Sequence, residues 1–158
     1  MREYLFRAKT EPCSKDAISG KIELKPKWVY GYIDLGYMQD EKGAIISDEK
    51  AHSAYRCQYS TIGQYTGLPD TNNQRIFEGD VVESRASENP EDWKRWLVSW
   101  QDGAFWFSTE PKKKRKRTYC LEDTLCEDNI AFYGLVVIGN IHDNPELMKE
   151  DARGTNGM

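Results

Sequence analysis

Residues 61–82 read TIGQYTGLPDTNNQRIFEGDVV, a string in which short β-prone runs alternate with turn formers. Gly63 and Gly67 permit tight backbone geometry, and Leu68-Pro69-Asp70 starts a turn. Asn72 and Asn73 tolerate the left-handed angles needed at its tip. Ile76-Phe77 re-enters a strand, Glu78-Gly79-Asp80 turns the chain again, and Val81-Val82 opens the next strand. Strand, turn, strand, Gly-Asp turn, strand is the order used by a small SH3-like barrel. The predicted fold class is therefore mainly β, a β-rich α+β domain with a β-barrel-type core and one or two short helices.

The segments on either side carry the same alternating signature. Tyr4 to Ala8 predicts a strand with Tyr4, Phe6 and Ala8 on one face. Lys27 to Leu35 predicts another, with Trp28, Tyr30 and Tyr32 on one face and Val29, Gly31 and Ile33 on the other, and the aromatic face is expected to pack. Between Trp96 and Phe107, WLVSW and AFWF flank Gln101-Asp102-Gly103, and Asp-Gly supplies the positive φ angles of a tight hairpin. Trp96, Val98 and Trp100 point one way, Leu97 and Ser99 the other, so the tryptophan face is expected to enter the core. Ser84 to Arg95 reads as an exposed loop with a helical turn starting at Asn89-Pro90. Leu135 to Ile141 predicts a central strand with a bend or bulge at Gly139.

Helix is confined to short pieces: Leu121 to Cys126, and a start at Asn144-Pro145, with Asn in the cap position and Pro at the first helical one. The expected organisation is one compact domain over 1–150. Its N-terminal strands occupy about 1–60, a barrel core about 61–142 and a short C-terminal helix about 144–150, with 151–158 a disordered tail.

The totals set outer limits. A chain of 158 residues with 39% hydrophobic and 30% charged residues is neither disordered nor membrane-spanning in composition. No apolar run approaches the roughly 18 residues of a bilayer span, and MREYLFRAKTEP lacks the apolar core of a secretory signal. No membrane association and a cytoplasmic location are expected. Cys13, Cys57, Cys120 and Cys126 are scattered without knuckle spacing, which predicts free thiols and no metal site. The net charge of −4 conceals an asymmetry: six of the 22 basic residues form the run Lys112 to Arg117, leaving sixteen against 26 acidic residues in the rest. An acidic body with one basic segment excludes broad attraction to polyanions and leaves only a local one.

QYTGL at 64–68, the following Asp70, and IFEGDVV at 76–82 resemble the signature of the YopX-like proteins of phages and prophages. REYLFRA at 2–8 and WVYG at 28–31 are similar to that family's N-terminal portion, and VIGNIHDNPEL at 137–147 to its C-terminal portion. The resemblance implies a β-barrel-like architecture with small helical additions and an origin in a phage or prophage resident in a bacterial host. It implies no catalytic activity, cofactor or ligand. The residues that carry it, Gln64, Tyr65, Gly67, Leu68, Asp70, Gly79, Asp80, Gly139, Asn140, Asn144 and Pro145, read as builders of turns. Two departures stand out: Asn72-Asn73 replaces the family's usual Asn-Gly, and the Lys112 to Arg117 run lies outside the shared pattern.

Chemistry-bearing constellations are thin. His142 precedes Asp143, but neighbours in sequence point their side chains apart, and Asp80 is expected to accept from the amides of its own turn. No phosphate-binding glycine motif occurs. The prediction is a protein without catalytic residues or cofactor, a nonenzymatic binding module for a host protein or nucleic acid. The alternative is a small-molecule-binding or enzymatic β-barrel with its pocket among the Tyr and Trp side chains. The candidate nucleic-acid contact is Lys112, Lys113, Lys114, Arg115, Lys116 and Arg117, with Trp106 or Tyr119 near enough in sequence to stack on a base. The opposing reading is a solvated loop offset by Glu122, Asp123, Glu127 and Asp128.

Overall fold

A computed structural model describes residues 4–34, 43–48, 50, 52–85, 88–108, 118–120 and 134–149. The Lys112 to Arg117 run, the Leu121 to Cys126 segment and the 151–158 tail lie outside the described residues. The chain divides into two compact units, Met1–Tyr65 and Thr66–Met158.

In the first unit, strands β1 (Phe6–Lys9), β4 (Trp28–Asp34), β5 (Gly43–Asp48), β6 (Ala54–Gln58) and the start of β7 (Gly63–Pro69) form an antiparallel sheet in the order β6-β5-β4-β1-β7. A separate two-stranded hairpin, β2 (Ser14–Lys15) with β3 (Ile22–Glu23), is tied to β6 by hydrogen bonds of Ser14, Asp16 and Ala17 with Ala54 and Arg56. Ala8, Val29, Ile46, Tyr55 and Cys57 form the core, with Phe6, Ile33 and Ile62 packed against it. Val29 and Ile33 therefore lie on the covered face of β4, and the aromatic row lies on the other. Tyr30 is 38% and Tyr32 52% exposed, which corrects the expectation that the aromatic face packs. Alternation says which side chains share a face; the facing aliphatic residues of β1, β5 and β6 decide which face is covered.

β7 runs on into the second unit, where β8 (Arg75–Phe77) neighbours it. The five-stranded sheet of this unit has the order β12-β11-β10-β9-β13, built from β9 (Asp80–Ser84), β10 (Lys94–Gln101), β11 (Ala104–Ser108), β12 (Thr118–Cys120) and β13 (Leu135–Asn140). β10 and β11 form the expected hairpin, with Gln101 opposite Ala104 and positive φ at Asp102 (50°) and Gly103 (83°). Ile76, Val82, Val98, Phe105, Phe107 and Leu135 fill the core, joined by Leu68, Trp96 and Val137. Burying a side chain of this size contributes about 1.5–3 kcal/mol. Trp100, expected inside with Trp96, is 40% exposed and meets Phe105 edge-on at 4.7 Å, because it sits beside the turn at the end of the hairpin.

The mainly β prediction holds, but among the described residues the sheets are not closed into the barrel expected over about 61–142. Closure requires the two end strands to pair; here β12 and β13 end the second sheet, each with a single neighbour. A register shift between Val137 and Gly139 marks the predicted bulge, and it leads β13 into the turn at Asn140 rather than toward another strand. The helical additions are single 3-10 turns, Pro90–Asp92 and Pro145–Met148 among them. Asn89 caps the first through Glu91 N. Asn144 does not cap the second with its side chain; its Oδ1 accepts instead from Asn140 N at 3.4 Å. No helix among the described residues is long and apolar enough to cross a membrane.

Candidate functional site

Of the signature residues, Asp70, Gly79 and Asn144 lie in turns or beside them, whereas Gln64, Tyr65, Gly67 and Leu68 lie in β7, Asp80 in β9, and Gly139 and Asn140 in β13. Asp70 is buried; its Oδ1 accepts from Asn72 N and Gln74 N, both at 2.8 Å, and its Oδ2 from Val137 N at 3.0 Å. Asn73 takes the left-handed φ of 62° at the tip. Gln64 pairs with Phe6 across β1 and β7, and buried Tyr65 donates its amide to Leu5 O. Gly67 adopts a φ of 90°, and the neighbouring Thr66 hydroxyl donates to Ile76 O at 2.9 Å while Leu68 reaches the core.

The second signature turn follows the same logic. Asp80, 1% exposed, accepts from Phe77 N at 2.8 Å. Gly79 donates to Val98 O and accepts from Ile141 N. Asn140 Oδ1 accepts from His142 N and Asp143 N at 3.0 and 2.9 Å, and its Nδ2 donates to Asp143 Oδ2. A Cβ on Gly139 would lie 2.5 Å from Asn144 Oδ1 and 2.8 Å from Leu147 Cδ1, so this glycine seats the Pro145–Met148 turn. The carboxylates of Asp70 and Asp80 are thus engaged by backbone amides that fix the shape of their turns.

The aromatic row of β4 offers a different surface. Arg7 stands opposite Tyr30 and Lys9 opposite Trp28, and directly opposed residues share a face. The Arg7 guanidinium lies 4.8 Å and the Lys9 ammonium 5.7 Å from the Trp28 ring centroid, within cation–π range. Cations and rings thus alternate on this side of the first sheet, which is closed over buried Arg7 and opens along β4 from half-buried Trp28 to Tyr32. Gly31, between the two tyrosines, is held by β5: a Cβ there would collide with the Ser47 carbonyl.

Two groups have displaced titrations. Asp16 accepts from the Ser19 hydroxyl and from the amides of Ala54, Ile18 and Ser19. The Ser19 hydroxyl foremost, with the amides behind it, lowers its pKa to about 2 against the opposing effect of burial. Burial pushes the Cys57 thiol up to about 12. Among the described residues Cys13, exposed, and Cys57, buried, are free thiols.

Sequence reasoning missed Asp16 and the pairing of Arg7 and Lys9 with the aromatic row. Asp16-Ala17-Ile18-Ser19-Gly20 carries the signal of a turn closed by an aspartate side chain. The cation pairing depends on register between β1 and β4, which residue type alone does not specify.

No curated protein matches the chain. Among solved structures it is similar to the crystal structure of protein EF1440 from Enterococcus faecalis, at 22% identity and a TM-score of 0.47 over 94% of this chain and 99% of that one. The model of the YopX protein family matches residues 6–149, which include both signature turns and the aromatic strand. The chain belongs to the YopX family.

Proposed function

We propose that this protein is a nonenzymatic accessory protein of a phage or prophage that acts as a binding module through the exposed tyrosines of β4. The observation that carries the reading is the exposure of Tyr30 and Tyr32 on a strand fixed on both sides, by β1 and by β5. Large aromatic side chains beside cations are enriched where proteins meet partners. Support also comes from the signature: Asp70, Asp80 and Asn140 are engaged with backbone amides, which suits them to architecture. Family membership supports the phage or prophage origin.

The test compares wild type with the Tyr30→Ala, Tyr32→Ala double variant, matched for melting temperature, for retention of host macromolecules from lysate. Material held by the wild type and lost from the variant supports the reading. Equal retention by both, or none by either, overturns it.

A further inference from the structure

Apart from the tyrosines of β4, we infer that the β2–β3 hairpin is a contact for an anionic membrane surface. Ile18, Ile22 and Leu24 enter the interfacial layer, and the lysines around them meet the headgroups. Among the described residues these three are the large aliphatic side chains that stand well exposed, at 65%, 57% and 76%, and all fall within seven consecutive positions. Single exposed aliphatic residues are ordinary, whereas a cluster marks a contact surface. Lys15 stands directly opposite Ile22 in the hairpin register and so shares its face. Exposed Lys21 and Lys25 flank Ile22 and Leu24 along the chain.

The turn is built to hold these side chains out. Asp16 Oδ1 accepts from Ala54 N at 3.0 Å, which fastens the turn to β6. Ile18 N, Ser19 N and the Ser19 hydroxyl donate to the same carboxylate, and Gly20 N closes on Asp16 O. A turn fixed by so many bonds to one residue presents Ile18 outward with little ordering left to do on binding. The arrangement also draws the Asp16 carboxylate inside. Residues 14–27 carry four lysines against Asp16 and Glu23, a net positive segment in a chain of net charge −4.

Area, edge geometry and charge select the occupant. Three aliphatic side chains offer on the order of a few hundred Å², well short of the ~1,000 Å² or more that a stable pairing of two copies buries. β3 is two residues long, with Lys21 before it and Lys25-Pro26 close behind, and a short edge guarded by lysine and proline resists the addition of a strand. A bilayer interface needs neither a large matching surface nor backbone pairing. Apolar side chains enter the boundary between headgroups and acyl chains, lysine stems snorkel, and their ammonium groups meet anionic lipid. This departs from the expectation of no membrane association, which followed from the lack of an apolar span; lying on a bilayer needs no span.

The experiment is cosedimentation of the full chain with vesicles of phosphatidylcholine alone and of an equal mixture with phosphatidylglycerol. The expected result is binding to the mixed vesicles in preference to the neutral ones, weakening as salt rises. Combined Ile18→Ser and Leu24→Ser should lower affinity at least about tenfold, and Lys15→Gln and Lys25→Gln about fivefold each. Circular dichroism melting of each variant separates a lost contact from a lost fold, and the lysine variants, altered at exposed side chains, carry the test should the double serine variant not fold.

Absence of binding to the mixed vesicles by a folded wild type overturns the inference, as does equal binding to both vesicle types. Binding that ignores the hairpin substitutions but vanishes when Lys112 to Arg117 are replaced by Ser also overturns it, and moves the contact to the basic run. Retention on immobilised polyglutamate without vesicle binding overturns it in favour of an acidic protein partner.

Discussion

The carboxylate of Asp70 accepts a hydrogen bond from the backbone amide of Val137, 67 residues further along the chain, at 3.0 Å. Thr71 reinforces the contact by donating its amide and its hydroxyl to Leu135 O at 3.0 and 2.9 Å. Asp70→Asn keeps the shape but exchanges one acceptor oxygen for a donor. Either orientation then faces an amide with an amide, Asn72 and Gln74 on one side or Val137 on the other. The variant should lose about 1–3 kcal/mol of stability, read as a lower urea midpoint. An unchanged midpoint would falsify the clamp.

Gly31→Ala introduces a methyl group where the Ser47 carbonyl lies. The cost comes from backbone meeting backbone, which no rotamer change relieves, so about 1–3 kcal/mol is expected. Because β4 and β5 must separate there, hydrogen exchange should rise at the amides between these two strands around Gly31 and Ser47, and not at those of the β10–β11 hairpin.

Glycine substitutions in the second unit separate space from conformation. Gly103 has a φ of 83° and no atom within 4 Å of an added Cβ, so Gly103→Ala should cost about 1–2 kcal/mol from the left-handed angle alone. Gly139→Ala meets Asn144 and Leu147 and should in addition release the Pro145–Met148 turn. Loss of the Arg95 Nη1 bond to Leu147 O, 3.4 Å in the native fold, would be visible as a shifted Arg95 side-chain resonance. No such shift is expected for Gly103→Ala.

Asp16 sets an acid limit. Its folded pKa of about 2 lies below the ordinary value of 3.8, so its charged form is favoured by folding. That contribution is complete above about pH 3.8 and disappears as pH falls through about 2. Asp16→Asn should therefore flatten the decline in melting temperature across that window while lowering stability near neutral pH. Parallel acid limbs in the two proteins would assign the decline to other carboxylates.

Thiol reactivity should divide by burial. Cys13 is exposed, whereas Cys57 is buried with its thiol pushed up to about 12, and the thiolate is the reactive form. Alkylation near pH 8, mapped by mass spectrometry, should mark Cys13 in the native protein and Cys57 only after denaturant is added. Equal labelling of both would contradict a closed first core.

Much of the second unit was legible because its turns are written in residue chemistry. Asp102-Gly103, Asn73 and the Val137–Gly139 bulge each require a backbone geometry that few residues accept, and each falls where the sequence places it. The first unit was less legible. β5 and β6 carry short alternating runs without a strong turn signal between them, and the side of β4 that faces the core depends on those strands. The tyrosine face was visible as a pattern, yet its exposure follows from partners distant in sequence. Barrel closure was equally beyond local reading, since it depends on the pairing of end strands. The cap at Asn144 failed for a related reason: glycine at 139 brings Asn144 close enough to serve Asn140 instead.

The Asp70 to Val137 clamp also bears on how this fold can diversify. The two residues are 67 positions apart, so one carboxylate closes a long stretch of chain. The entropy of closing such a stretch grows slowly, by about 0.6 kcal/mol for each doubling of its length. Lengthening or shortening the sequence between positions 70 and 137 by a few residues therefore costs the clamp less than a single core truncation would.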